Sequence, residues 1–163
     1  MPNATLPKSV ISPDLDAITC EIDIAAPPER VFQALTSESE LMRWFNGDAS
    51  CPVKFWTLDP RKGGRYRFRS ATATHAVNGV KEFDCHGEIV EFDPPRVLAY
   101  TWIGNWHEDK ALETLVRYDL TPTSAGTHIR VTHSSLVNEE VCRNDYANGW
   151  PGVLNSLKNF VEV

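Results

Sequence analysis

"YANGWPGVLNSLKNFVEV", residues 146–163, closes the chain and has the pattern of an amphipathic helix. Its apolar side chains recur at steps of three and four, which places on one side of a helix Tyr146, Trp150, Leu154 (or Val153), Leu157 and Val161. Gly149, Pro151 and Gly152 interrupt this stripe, and each is unfavourable in the interior of a helix. A helix of this kind must therefore be explained by the surface against which it packs.

That surface is predicted by the segment from Cys51 to His133, in which apolar and polar residues alternate with the period of a strand. Six runs predict strands: "VKFWTLD", "RYRFRSATA", "KEFDCHGEIVEFD", "RVLAYTWIG", "ETLVRYDLT" and "HIRVTH". The pair Asn78-Gly79 predicts a hairpin turn. An earlier run, "AITCEIDIAA", predicts a first strand, and "PPERVFQALT" and "ELMRWF" predict two short helices after it.

The predicted fold class is α+β, with a long terminal helix from about Asn138 covering the apolar face of an antiparallel sheet. The terminal helix is the only predicted element long enough for that role. A chain of 163 residues fits one domain. We expect a flexible, proline-containing N-terminal extension over residues 1–16 and a single domain over residues 17–163.

Composition argues against several classes of function. A net charge of −6 and only one short basic group, which alternates with apolar residues, make nucleic acid an unexpected partner. No apolar run approaches the roughly 20 residues that span a bilayer, so no membrane partner is expected. The N-terminus has neither a basic start nor an apolar block, which predicts a cytoplasmic protein.

Five blocks of sequence resemble the START-like, or helix-grip, superfamily, and within it the AHSA-like family, named after the activator of the ninety-kilodalton heat-shock protein's ATPase. In order they are "PPERVFQALTSESELMRWF", "GGRYRF", "GEIVEFDPPRVLAYTW", "GTHIRVTHSSL" and "GWPGVLNSLKNFVE". The resemblance runs from about Ala17 and implies a strongly curved sheet of about six to seven strands that grips the C-terminal helix. It further implies a cavity between sheet and helix, which in relatives holds lipids, sterols, polyketides or other apolar molecules.

Such a cavity suggests one explanation of the weakened helix. Gly149 and Gly152 would remove bulk where the helix faces the sheet, Pro151 would bend the helix away, and Trp150 would point into the resulting space. Alternatively, Gly149 permits close packing and Pro151 begins a new helix after a break.

A search for chemistry identifies no catalytic motif, metal site or cofactor. The histidines lie in five different segments, and Cys85 and His86 are strand neighbours that point to opposite faces. His133 is the most notable, because it continues the apolar face of Ile129 and Val131.

The predicted ligand-binding residues are instead mainly aromatic: Trp44, Phe45, Tyr66, Phe68, Trp102, Tyr118, His133, Trp150 and Leu154. Tyr66, Tyr118 and His133 are the candidates for orienting polar groups. The alternative is that these residues fill an ordinary core.

Three functions remain open. The first is binding of a small apolar or amphipathic ligand of the lipid or aromatic polyketide class. The second is a stress-response module with a chaperone partner, although the chain resembles only one domain of the eukaryotic activator. The third is an enzyme like the polyketide cyclases and aromatases, with His133 or Tyr118 as its acid–base group.

Overall fold

The computed structural model describes residues 6–45 and 51–162, and within them the α+β fold predicted from the sequence is confirmed. These residues form eight strands and three helices. In chain order they are β1 (Val10–Ile11), β2 (Ile18–Ile24), α1 (Pro28–Thr36), α2 (Glu38–Trp44), β3 (Val53–Leu58), β4 (Arg65–Ser70), β5 (Asp84–Asp93), β6 (Val97–Gly104), β7 (Thr114–Pro122), β8 (Thr127–Ser134) and α3 (Glu140–Val161).

The strands form one antiparallel sheet in the order β1-β2-β8-β7-β6-β5-β4-β3, which leaves β1 and β3 at its edges. The sheet curves around α3, and its inner face is the alternating apolar set that the sequence indicates. Buried on it are Tyr66, Phe68, Leu98, Tyr100, Trp102, Val116, Tyr118, Leu120, Ile129, Val131 and His133. The architecture is therefore the helix grip that the resemblance implies.

The segment before β2 contributes to the sheet. Strand β1 pairs with β2. The Asp16 carbonyl accepts a hydrogen bond from the Leu136 amide at 2.9 Å. The Leu15 carbonyl accepts one from Arg143 Nη1 at 3.4 Å. Residues 10–16 of the predicted flexible extension are thus tied to the domain, whereas residues 1–5 lie outside the described part of the chain.

Helix α3 continues through Pro151 without a break, so the alternative of a new helix beginning there is wrong. The close-packing role considered for Gly149 is wrong too, because a Cβ added at Gly149 or Gly152 meets no described atom within 4 Å. Both glycines border open space. Helix α3 therefore packs through its apolar stripe and presents a second face that does not pack against the sheet.

Trp44 joins the two short helices to α3. Its indole Nε1 donates to the Ala34 carbonyl at 2.9 Å. Its own carbonyl accepts from the Ser156 hydroxyl at 2.7 Å. The Trp44 ring is buried at the junction of three helices, which fixes how α1 and α2 close one side of the sheet.

Candidate functional site

A cleft with a volume of about 610 Å³ opens beside α3. Its wall on the helix consists of small and mostly polar residues: Asp145, Asn148, Gly149, Gly152, Val153, Asn155, Ser156 and Asn159. Seven buried aromatic side chains complete the lining: Phe45, Phe68, Phe83, Trp102, Trp106, Tyr146 and Trp150. Leu6, Cys51 and His75 also border it. A space of this volume lies within the usual range for sites that take a small organic molecule.

The helix wall of the cleft follows the helical period. Asp145, Gly149, Gly152, Ser156 and Asn159 succeed one another at steps of three and four, so they lie along one face of α3. This face is beside the apolar stripe rather than part of it. Because the two glycines carry no side chain, the middle of the wall stays open.

The loop of residues 71–83 supplies another part of the lining. A bridge between Val77 and Val80 closes its tip around the Asn78-Gly79 turn. The Asn78 side-chain amide donates to the Trp106 carbonyl at 2.9 Å. Phe83 packs edge-on against the Trp106 ring, with 5.1 Å between ring centroids. This loop thereby brings Phe83 and His75 to the cleft.

The structure brings four of the nine predicted binding residues to the cleft and leaves five away from its lining. Phe45, Phe68, Trp102 and Trp150 line it. The five that lie in the core instead are Trp44, Tyr66, Tyr118, His133 and Leu154. Each of the two interpretations of these residues, ligand-binding lining and filled core, therefore holds for part of the set, because the interior is a filled core with a cleft at one side.

The two tyrosine hydroxyls expected to orient a ligand have partners inside the core. Tyr66 donates to the Thr101 carbonyl at 2.6 Å. Tyr118 accepts from the Tyr100 hydroxyl at 3.5 Å. Burial raises the pKa of both phenols above the ordinary value. Neither hydroxyl is placed to act on a molecule in the cleft.

His133 uses both ring nitrogens within the core. Its Nδ1 accepts from the Trp150 indole at 3.2 Å, and its Nε2 lies 2.8 Å from the Thr114 hydroxyl. Because that hydroxyl donates its own proton to the Trp102 carbonyl at 2.8 Å, Nε2 must be the protonated nitrogen of a neutral ring. Burial, and secondarily the nearby His107, lowers the pKa of His133 well below its usual value. His133 is therefore a positioned neutral donor and acceptor.

A second buried histidine lies next to this network. His107 Nε2 is 2.6 Å from the Tyr146 hydroxyl, which also accepts from the Trp102 indole at 3.0 Å. Burial lowers the pKa of His107, against the opposing influence of Glu139 and Asp109. Its Nδ1 is buried and has no hydrogen-bond partner in the described part of the chain. Sequence reasoning missed Phe83, Trp106 and Tyr146 as cleft residues, although all three are aromatic and Tyr146 belongs to the apolar stripe of the predicted terminal helix.

Asp145 is the most distinctive residue that the sequence analysis missed. Burial raises the pKa of its carboxyl, and the proximity of His75 partly offsets that effect. Within residues 6–45 and 51–162, no hydrogen bond or salt bridge engages this carboxylate. The available signal was its spacing, four residues before Gly149 on the same helix face.

Metal and membrane chemistry receive no support from the described residues. No group of three or more histidine, cysteine, aspartate or glutamate side chains among them could hold a metal ion. In the same residues, no helix has the length and apolar character needed to cross a membrane.

Comparison with known proteins gives a family and a fold. The model of the family described as "Activator of Hsp90 ATPase homolog 1-like protein" matches residues 25–162. No curated protein matches the chain.

Three of the solved structures that resemble the chain are 18–24% identical to it and show the fold alone. Protein CV1439 from Chromobacterium violaceum has a TM-score of 0.76 and 24% identity, over 91% of this chain and 99% of its own. The AHSA1-like protein from Aeromonas hydrophila has a TM-score of 0.70 and 22% identity, over 90% and 92%. DynU16, from the dynemicin biosynthetic locus, has a TM-score of 0.67 and 18% identity, over 91% of this chain and 48% of its own.

Proposed function

The chain belongs to the family of Activator of Hsp90 ATPase homolog 1-like proteins, and from that premise we propose that it binds a small apolar or amphipathic molecule in the cleft beside α3. One observation carries the proposal. Seven aromatic side chains line a cleft of about 610 Å³. The helix wall of this cleft has no side chain at Gly149 and Gly152, where an added Cβ atom would meet no described atom within 4 Å.

The two glycines are hard to explain by the fold alone. Each destabilises a helix interior by about 1 kcal/mol relative to alanine. Neither has the positive φ or the close backbone contact that would require glycine. An open helix wall facing aromatic rings accounts for them, because it leaves room for a flat ligand to displace water from apolar surface.

One of the structures with this fold comes from a biosynthetic locus. DynU16, whose fold the chain shares, is a protein of the dynemicin biosynthetic locus. The preference for an aromatic ligand over a long acyl chain rests on the seven aromatic side chains of the lining.

The enzymatic alternative has lost its two named acid–base candidates, since His133 and Tyr118 lie away from the cleft lining and have partners in the core. We therefore do not extend the proposal to catalysis. A chaperone partner stays a prediction from the family, which stimulation of a purified chaperone's ATPase would test.

The test of ligand binding is to fill the cleft from the helix wall. Anthracen-9-ylmethanol, an uncharged tricyclic probe, is titrated into the protein while energy transfer from tryptophan to the probe is followed. Gly152→Phe should weaken binding at least about tenfold, because the phenyl ring enters open space beside Trp150. Val141→Phe adds the same ring to an exposed part of α3 that does not line the cleft, and should leave binding unchanged.

Native mass spectrometry of protein purified from its own cells provides an independent check. A reproducible extra mass that leaves on denaturation would establish an occupied cleft. If the wild-type protein carries no ligand and also fails to bind the probe, or if Gly152→Phe binds the probe as tightly as wild type, the proposal is wrong.

A further inference from the structure

The charged side chains that line the cleft favour one class of ligand over others. Resting on the proposed function, we propose that the ligand is a cationic amine on an aromatic body, with its ammonium group hydrogen-bonded to the Asp145 carboxylate. The lining carries one carboxylate among its described residues, and no lysine or arginine is found among them. Its other polar residues on the helix wall are uncharged: Asn148, Asn155, Ser156 and Asn159.

Asp145 lacks the partners that a partly buried carboxylate ordinarily has. Other carboxylates of this chain show the contrast: Asp84 pairs with Arg67, and Glu139 accepts from two backbone amides. In the described part of the chain Asp145 has no such bond, although it is partly shielded from water in the wall of the cleft. A charged group held this way gains most from a donor that arrives with a ligand, and an ammonium supplies the strongest donor.

The rings that line the same cleft as Asp145 suit the same ligand. Trp102, Trp106 and Tyr146 meet edge-on, with each pair of ring centroids 6.3 Å apart, and all three line the cleft. Tyr146 directly follows Asp145 in α3. Aromatic faces attract cations through their quadrupoles, and a cluster of rings next to a carboxylate is well matched to an organic ammonium.

The same charges disfavour an anionic ligand. A fatty acid or another carboxylate would approach Asp145 without a lysine or arginine among the described lining residues to compensate it. Among the remaining described lining residues, His75 carries the one side chain with basic nitrogens, and it is exposed. The charge of the lining therefore favours aromatic molecules with a positive charge over apolar molecules in general.

Three probes with one ring system separate charge from shape: anthracen-9-ylmethylamine, anthracen-9-ylmethanol and anthracene-9-carboxylate. At neutral pH the wild-type protein should bind the amine most tightly, the alcohol less tightly and the carboxylate least. Asp145→Asn should weaken the amine about tenfold, the size of a charge-assisted hydrogen bond at a partly exposed site, and leave the alcohol unchanged.

Glu140→Gln is the matched control, because it removes one exposed negative charge from the same helix outside the cleft. It should leave all three affinities within about twofold of wild type. Both variants should stay folded and unfold cooperatively, since neither carboxylate is bonded to another described residue.

The outcomes distinguish this inference from the function on which it rests. If no probe binds, the proposed function itself fails. If the alcohol binds but the amine binds no better, or if Asp145→Asn binds the amine as wild type does, the cleft takes apolar ligands and the assignment of a cationic one is overturned. Tightest binding of the carboxylate would overturn it as well.

Discussion

Replacing Gly152 with alanine should make this protein more stable. The residue lies inside α3, where alanine is favoured over glycine by about 1 kcal/mol. No described atom lies within 4 Å of the Cβ that would be added, so no steric cost offsets that gain. For a domain of this size, a gain of about 1 kcal/mol raises the melting temperature by roughly 2–4 °C.

Urea unfolding followed by circular dichroism measures the effect. The midpoint should move to higher urea with an unchanged slope, because the surface exposed on unfolding is nearly the same. Gly87→Ala is the matched control, since it is the same chemical change in strand β5 with the opposite surroundings. There the added Cβ would lie 1.9 Å from the Thr101 carbonyl oxygen, which belongs to the backbone of β6 and cannot turn away. Gly87→Ala should therefore destabilise the protein.

A loss of stability in Gly152→Ala would refute this reasoning. It would mean that the second face of α3 packs against something in solution, and the cleft would then be closed. Stabilisation by Gly152→Ala together with destabilisation by Gly87→Ala would show that the two glycines are retained for different physical reasons.

Two further predictions concern the core. Burial lowers the pKa of His133 and His107, so both stay neutral in the fold while the unfolded chain protonates them near the ordinary pKa of 6.5. The free energy of unfolding should therefore fall as the pH drops below about 6.5, by up to ~1.4 kcal/mol per pH unit for each proton taken up. Hydrogen bonds to carboxylates raise the pKa of His128, so this residue makes the free energy of unfolding rise as the pH drops. The urea titrations are therefore carried out on the His128→Gln variant. A free energy of unfolding that stays constant down to about pH 5 would contradict neutral His133 and His107 in the fold. Tyr66→Phe should cost about 1–1.5 kcal/mol, because it removes the hydroxyl that donates to the Thr101 carbonyl, and an unchanged urea midpoint would show that this bond contributes nothing.

The fold was predictable because its signals are local. Alternation of apolar residues identifies which face of each strand is buried, and the stripe from Tyr146 to Val161 identifies the packed face of α3. Strand β1 was not predicted. It has only two residues and is held by pairing with β2, a contact between separate segments that no local pattern reveals.

Only four of the nine predicted binding residues line the cleft, and the reason is geometric. A periodic pattern shows that Tyr118 and Phe68 both point inward, but not which of them lies beneath α3 and which beside it. That depends on where the helix crosses the sheet. Asp145 escaped notice because a charged residue next to an apolar stripe usually faces solvent, whereas here it lies in the wall of a cleft built from several distant segments.

The cleft takes its lining both from the core and from the 71–83 loop. The buried rings of Trp102 and Trp150 belong to the core, where their indole nitrogens bond Tyr146 and His133. Phe83 and His75 come from a continuous stretch outside the main sheet, anchored near its tip by the single amide of Asn78. Substitutions at the exposed His75 can therefore alter which molecules the cleft accepts without disturbing the bonds of Trp102 and Trp150, whereas Val77 and Phe83 of the same stretch are buried and also help to hold the domain together.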